Sequence, residues 1–95
     1  MTIKRTIVKG KFKVYDPQGL YAAPSAEIVK CASAFKSEIY LIYQKQKVSA
    51  KSLLSILTLT ATRGAQIGVQ ALGEDAEEAV RSILHLAHHK FNLAN

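Results

Sequence analysis

The sequence predicts an α+β domain with elements in the order βαββαβα, and three observations carry that prediction. Period-two hydropathy falls at residues 8–14, 38–43 and 66–71, and segments with apolar residues at three- and four-residue spacing stand between and after them. Turn-forming residues separate the two kinds of segment. The length of 95 residues suits one domain with a single modest core. An apolar share of 48% fits a globular chain, and no apolar run is long enough to span a bilayer. Met1-Thr2-Ile3-Lys4-Arg5 leads into no apolar signal core, and one cysteine forms no internal disulfide, so a cytoplasmic location is expected.

The first strand alternates Val8, Gly10, Phe12 and Val14 with Lys9, Lys11 and Lys13, which gives one core face and one wet face. The basic residues 1–7 ahead of it are expected to fray. Asp16-Pro17-Gln18-Gly19 has the composition of a β-turn, and Pro24 suits the first turn of a helix. That helix is expected over Pro24–Lys36, with Ile28, Ala32 and Phe35 on its buried stripe and Glu27 and Lys30 in water. Cys31 reads as a small apolar residue within it. In the second strand, Glu38–Tyr43, Ile39, Leu41 and Tyr43 share one face, while Tyr40 and Ile42 share the other, where an isoleucine is out of place. Gln44-Lys45-Gln46 lacks the glycine of a tight hairpin and predicts a looser loop.

A short second helix, Ser52–Leu59, is capped by Ser52 and apolar on two faces, Leu53, Leu54 and Leu57 against Ile56, Leu59 and Thr60. A helix on one layer buries one such face, so the other meets solvent or a partner. After the turn Thr62-Arg63-Gly64 and the strand Gln66–Ala71, Asp75 and Glu78 stand at capping-box spacing before a last helix. Its core stripe is Ala79, Val80, Ile83, Leu84, Ala87 and Phe91. His85, His88 and His89 lack an obvious third metal ligand from elsewhere and read as a solvated helix end. With no glycine-rich phosphate loop, zinc spacing or serine elbow, neither cofactor nor metal is expected.

Gly19-Leu20-Tyr21-Ala22-Ala23-Pro24 joins the first strand to the first helix, and a helix start at such a corner suits a phosphoryl group. This corner resembles that of HPr, the histidine-containing phosphocarrier family of the bacterial phosphotransferase system, which reads Gly-Leu-His-Ala-Arg-Pro. Ser37-Glu38-Ile39-Tyr40-Leu41, Val48-Ser49-Ala50-Lys51-Ser52-Leu53 and Gly73-Glu74-Asp75-Ala76-Glu77-Glu78-Ala79 resemble further family blocks in the same order and spacing. The resemblance implies a two-layer open-faced sandwich, a four-stranded antiparallel sheet in order 1-4-2-3 with three helices on one face. It places the phosphoacceptor histidine at Tyr21 and the arginine that steadies the phosphoryl group at Ala23, so both chemical groups are absent from those positions.

The same resemblance makes Leu20, Tyr21, Leu53, Leu54 and Leu57 a partner-docking surface. It also makes Ser52 a regulatory phosphorylation site for HPr kinase/phosphorylase. In lacking the histidine and keeping the serine the chain is similar to the family member Crh. The expected function is therefore a regulatory docking protein, not an enzyme, with partners among the phosphotransferase proteins or their regulators. One alternative is a phosphocarrier that uses another residue; a phenol at the corner is a far weaker nucleophile near neutral pH than imidazole. The other, ranked well below protein docking, is a basic nucleic-acid-binding module, prompted by the +6 charge and by Lys9, Lys11 and Lys13 with Tyr40; lysines on an edge strand also serve to discourage edge-to-edge aggregation, so nucleic acid is not the expected partner.

Overall fold

In the computed structural model, which describes residues 7–91, strand β1 (Ile7–Lys13) leads to helix α1 (Ala22–Ala32), then β2 (Glu38–Tyr43) and β3 (Gln46–Ser49). Helix α2 (Leu53–Leu57), strand β4 (Gln66–Leu72) and helix α3 (Ala76–Leu86) follow, and α3 widens into a π-helical turn over Ala87–Phe91. The four strands form one antiparallel sheet in order β1-β4-β2-β3. The expected fraying of residues 1–7 lies outside the described residues except at Ile7, which opens β1 opposite Leu72.

Period-two hydropathy becomes two unlike sheet faces because successive side chains point to opposite sides. Phe12, Ile39, Leu41, Ile67, Val69 and Ala71 are buried under the helices with Ile28, Ile56, Val80 and Ile83. A Cβ on Gly10 would stand 2.9 Å from Leu84 Cδ1 and 3.0 Å from Val80 Cγ1, so the missing side chain lets α3 lie close on β1. Lys9, Lys11 and Lys13 take the opposite face, in register with Gln70, Gly68 and Gln66. Ile42, expected to stand out there, is half-buried between its partners Lys47 and Gly68.

Three expectations about local structure are corrected. Helix α1 ends at Ala32: Ser33 donates to the carbonyls of its last turn, and the Ala34 and Phe35 amides tighten to three-residue bonds on Cys31 and Ala32, at 3.2 and 3.1 Å, before the chain leaves the helix. The β2–β3 connection is tight: Tyr43 pairs with Gln46, and Gln44 and Lys45 make the turn at φ of 50° and 68°. Two non-glycine residues hold left-handed conformations there because the flanking ladder fixes the register, overriding the local preference for glycine. Asp75 occupies the N-cap position of α3 without capping it. Its carboxylate instead accepts from the Lys36 and Ser37 amides, each at 2.9 Å, and from the Ser37 hydroxyl. These bonds, led by the Ser37 hydroxyl, hold the Asp75 carboxyl below its ordinary range and clasp the α1–β2 loop to the start of α3.

The helical expectations at α3 hold for Ala79, Val80, Ile83 and Ala87, which are buried, and for Leu84, which packs on them; the Phe91 side chain lies outside the described residues. Cys31 packs partly buried against the core, and that burial raises its thiol above the ordinary value. No helix among the described residues is long and apolar enough to cross a membrane.

Candidate functional site

The corner before α1 is built by a turn over Asp16-Pro17-Gln18-Gly19. Asp16 Oδ1 accepts from the Gln18 amide at 2.8 Å, and the Asp16 carbonyl accepts from the Gly19 amide at 2.8 Å. Gly19 has φ of 73°, and a Cβ there would collide with the Ala61 carbonyl oxygen and stand 2.9 Å from Thr62 Cα. Glycine is therefore required twice over, for the left-handed backbone and for the close approach of residues 61–62. The Leu20 amide then donates to that Ala61 carbonyl at 2.9 Å, which fastens the corner to the segment following α2.

Tyr21 takes the N-cap position of α1 with extended backbone (φ −86°, ψ −168°) and makes no side-chain cap bond. Its ring is half-buried, Ala22 and Ala23 are exposed, and Pro24 is buried in the first helical turn. Ser25 is wholly buried, and its hydroxyl donates to the Leu20 carbonyl at 3.2 Å. The corner thus presents a phenol and two methyl groups, with no side-chain cation at Ala23 and no imidazole at Tyr21.

Leu20 itself is only 5% exposed and packs in the core, which corrects its assignment to the docking surface. Its amide bond to Ala61 turns the side chain's segment inward, so Leu20 shapes the corner from beneath. The α2 leucines divide as their spacing requires. Leu54 is 76% exposed and Leu53 37%, whereas Ile56 and Leu59 are buried. Leu57, expected with them on the exposed face, is half-buried. Helix α2 is also shorter than predicted, since Thr58 caps it and Thr60 takes a left-handed conformation (φ 49°).

Ser52 is the N-cap of α2, and its hydroxyl oxygen accepts from the Ser55 amide at 3.3 Å. The side chain is half-exposed. Lys51, its neighbour in sequence, sends its ammonium to the Phe35 carbonyl at 2.7 Å and so ties α2 to the loop after α1. Helices α1 and α2 pack on one another, which sets the corner and the leucines on the helical side of the sheet.

One residue gains significance only from the fold. Arg63 is exposed on the loop between α2 and β4, and that loop is bonded to the segment leading into the corner at three points. These are Val14 amide to Ala65 carbonyl at 2.8 Å, Gly64 amide to Val14 carbonyl at 2.7 Å, and the Leu20–Ala61 bond at 2.9 Å. The loop that carries Arg63 is therefore fastened to the segment that leads into the corner. Bonds between segments more than forty residues apart leave no local sequence signal, so Arg63 reads from sequence only as a turn residue.

At the far end of α3, His85 and His89 stack with centroids 4.0 Å apart, and His89 Nδ1 lies 3.0 Å from the His85 carbonyl oxygen. Among the described residues no group of three or more histidine, cysteine or acidic side chains is placed to hold a metal.

Comparison with known proteins agrees with this geometry. The family model described as "PTS HPr component phosphorylation site" matches residues 8–89. The phosphocarrier protein HPr of Buchnera aphidicola is 40% identical over 75 residues, 79% of this chain and 88% of that protein. The crystal structure of HPr-C-His from Thermoanaerobacter tengcongensis superposes with a TM-score of 0.84 at 33% identity, covering 90% of this chain and 96% of the other. Crh of Bacillus subtilis, a catabolite repression protein whose crystal structure is a domain-swapped dimer, gives a TM-score of 0.70 at 31% identity, covering 87% and 95%.

Proposed function

Because the chain belongs to the HPr family of the bacterial phosphotransferase system, whose members are phosphocarriers and not enzymes, we propose that it acts there as a docking and regulatory protein with a degenerate phosphoacceptor site. The observation that carries the reading is the pairing of a corner lacking imidazole with exposed leucines on the neighbouring helix. Leu54 is 76% exposed and Leu53 37%, on a helix whose other apolar face already fills the core. Leucines left outside a satisfied core favour a partner surface. Tyr21, standing where the family's histidine is expected, contributes its ring to that surface. The partners are proteins of the phosphotransferase system or its regulators, met in the cytoplasm.

Ser52 is the proposed regulatory site, phosphorylated by HPr kinase/phosphorylase. Its half-exposed hydroxyl stands at the entrance of α2, next in sequence to the exposed Leu53. A phosphate there alters the charge at the rim of the leucine patch, so it selects between partners with basic and acidic matching surfaces. Lys51 meets that phosphate only by leaving the Phe35 carbonyl, which couples modification to the loop after α1. The likeness to Crh, described as a catabolite repression protein, supports a regulatory role of this kind.

The test is mass spectrometry after incubation with the kinase and ATP, beside a Ser52→Ala control. Wild type is expected to gain one phosphoryl group and the control none. The control loses about 1 kcal/mol of capping and stays folded. An unmodified wild type, or equal modification of both, removes the regulatory part. Unchanged binding of phosphotransferase proteins by Leu54→Lys removes the docking part.

A further inference from the structure

The last turns of α3 carry a histidine arrangement that the docking reading does not use. His85, His88 and His89 are all exposed there. His85 and His89 stand four residues apart, the spacing that sets two side chains on one face of a helix. Their rings stack with centroids 4.0 Å apart and planes 21° from parallel. His85 belongs to α3 proper and His89 to the π-helical turn over Ala87–Phe91, so the pair spans the point at which the helix widens. Such single π-helical turns gather at functional sites.

His89 is held in one tautomer. Its Nδ1 lies 3.0 Å from the His85 carbonyl oxygen, which can only accept, so Nδ1 carries the hydrogen. In the neutral ring Nε2 is then left with a bare lone pair. A carbonyl on one ring nitrogen is the support that a metal-ligating histidine takes, because it fixes the ring and strengthens the other nitrogen as a donor. The carbonyl ends of the last helical turn add partial negative charge, which favours a cation. Arg81, one turn before His85, is engaged by Glu77 at 3.8 Å.

We propose that His85 and His89 bind a first-row divalent transition ion, Cu(II) or Zn(II), through one nitrogen each, with water in the remaining positions. Imidazole nitrogens suit these ions, whereas Mg(II) and Ca(II) take oxygen ligands. A tetrahedral ion with about 2.0–2.1 Å to each nitrogen holds the two nitrogens about 3.3 Å apart. Rings whose centroids are already 4.0 Å apart have to splay and turn out of their stack, which exposed side chains do freely. The stacked pair leaves out His88. Two protein ligands make an exchangeable site rather than a closed structural one, and loading it would fasten the last turn of α3. The site shares no residue with the corner or with α2, so it stands apart from docking at the leucines.

Isothermal titration of the untagged whole chain with Cu(II) and Zn(II), with Mg(II) for comparison, tests the proposal. One ion per chain is expected, bound more tightly for Cu(II) than for Zn(II), with no binding of Mg(II). His85→Ala and His89→Ala should each weaken binding at least about tenfold, since even a ligand's hydrogen-bond partner is worth that much. His88→Ala should bind as wild type. Electron paramagnetic resonance of the Cu(II)-loaded chain should show two coupled nitrogens, falling to one in either weakened variant. Circular dichroism confirms that each variant is folded. The proposal is overturned by absence of binding below millimolar metal, or by His85→Ala or His89→Ala binding as wild type. It is equally overturned if His88→Ala loses as much as they do, which would make the helix end a loose histidine cluster without a defined pair.

Discussion

Replacing Ile56 and Leu54, two residues apart on α2, should separate folding from docking. Ile56 is wholly buried and Leu54 is 76% exposed, on a helix only five residues long. Ile56→Ala deletes three buried carbons and leaves a cavity among close-packed side chains, a change that costs about 2–5 kcal/mol. In a domain of this size each kcal/mol moves the melting temperature by about 4–8 °C, so a fall of at least roughly 8 °C is expected. Leu54→Lys deletes mostly solvent-facing surface and should stay within about 0.5 kcal/mol of wild type. Thermal and urea unfolding followed by circular dichroism give the stabilities, and surface plasmon resonance against enzyme I and HPr kinase/phosphorylase gives binding. Ile56→Ala should retain affinity at temperatures where it is folded, whereas Leu54→Lys should lose it. Equal destabilisation by the two would mean that α2 sits at a different rotation on the sheet. Retained binding by Leu54→Lys would remove the patch from the interface.

The β2–β3 turn places Lys45 at φ 68°, so Lys45→Gly should raise stability by roughly 0.5–1 kcal/mol, measured as a higher urea midpoint with unchanged slope. Gly19→Ala should lose at least about 2 kcal/mol, because its Cβ would collide with the Ala61 carbonyl oxygen on a left-handed backbone; an unchanged melting temperature would contradict the corner's geometry. The Asp75 carboxyl is held low by the Ser37 hydroxyl and the Lys36 amide. Its contribution is therefore complete above the unfolded-chain value of about 3.9 and fades as pH falls through the lower folded value. The stability gap between wild type and Asp75→Asn should narrow below about pH 4, and a gap constant with pH would show that the clasp carries no charge dependence. Tyr21→His should accept phosphoryl groups only weakly, since Ala23 offers no guanidinium; transfer at the rate of an ordinary family member would show that Arg63 or the backbone replaces it.

Strand positions are legible in the sequence because alternation such as Val8, Gly10, Phe12 against Lys9, Lys11, Lys13 is dictated locally by the pleat. Strand β2 is readable to its ends for the same reason. What escapes the sequence is set by bonds across the fold. Asp75 looks like half of a capping box, but its carboxylate is drawn to Lys36 and Ser37, some forty residues away. Gln44 and Lys45 look like a loose loop because no local signal reports that the ladder on either side forces a two-residue turn. At the candidate site, the exposed and buried sides of α2 follow from spacing, with Leu53 and Leu54 outward and Ile56 inward. Leu20 is placed on the docking surface by resemblance alone, and its burial depends on the bond to Ala61, forty-one residues away, which no local pattern reports; Arg63 goes unnoticed for the same reason.

Whether this family member docks without carrying phosphoryl groups is decided by incubating the chain with enzyme I and labelled phosphoenolpyruvate. An HPr that bears the histidine serves as the positive control. With Tyr21 at the corner and Ala23 behind it, the chain should take up no label while the control is labelled fully. Acid-labile label on this chain, transferable to a downstream acceptor, would contradict the docking role and make it a working phosphocarrier.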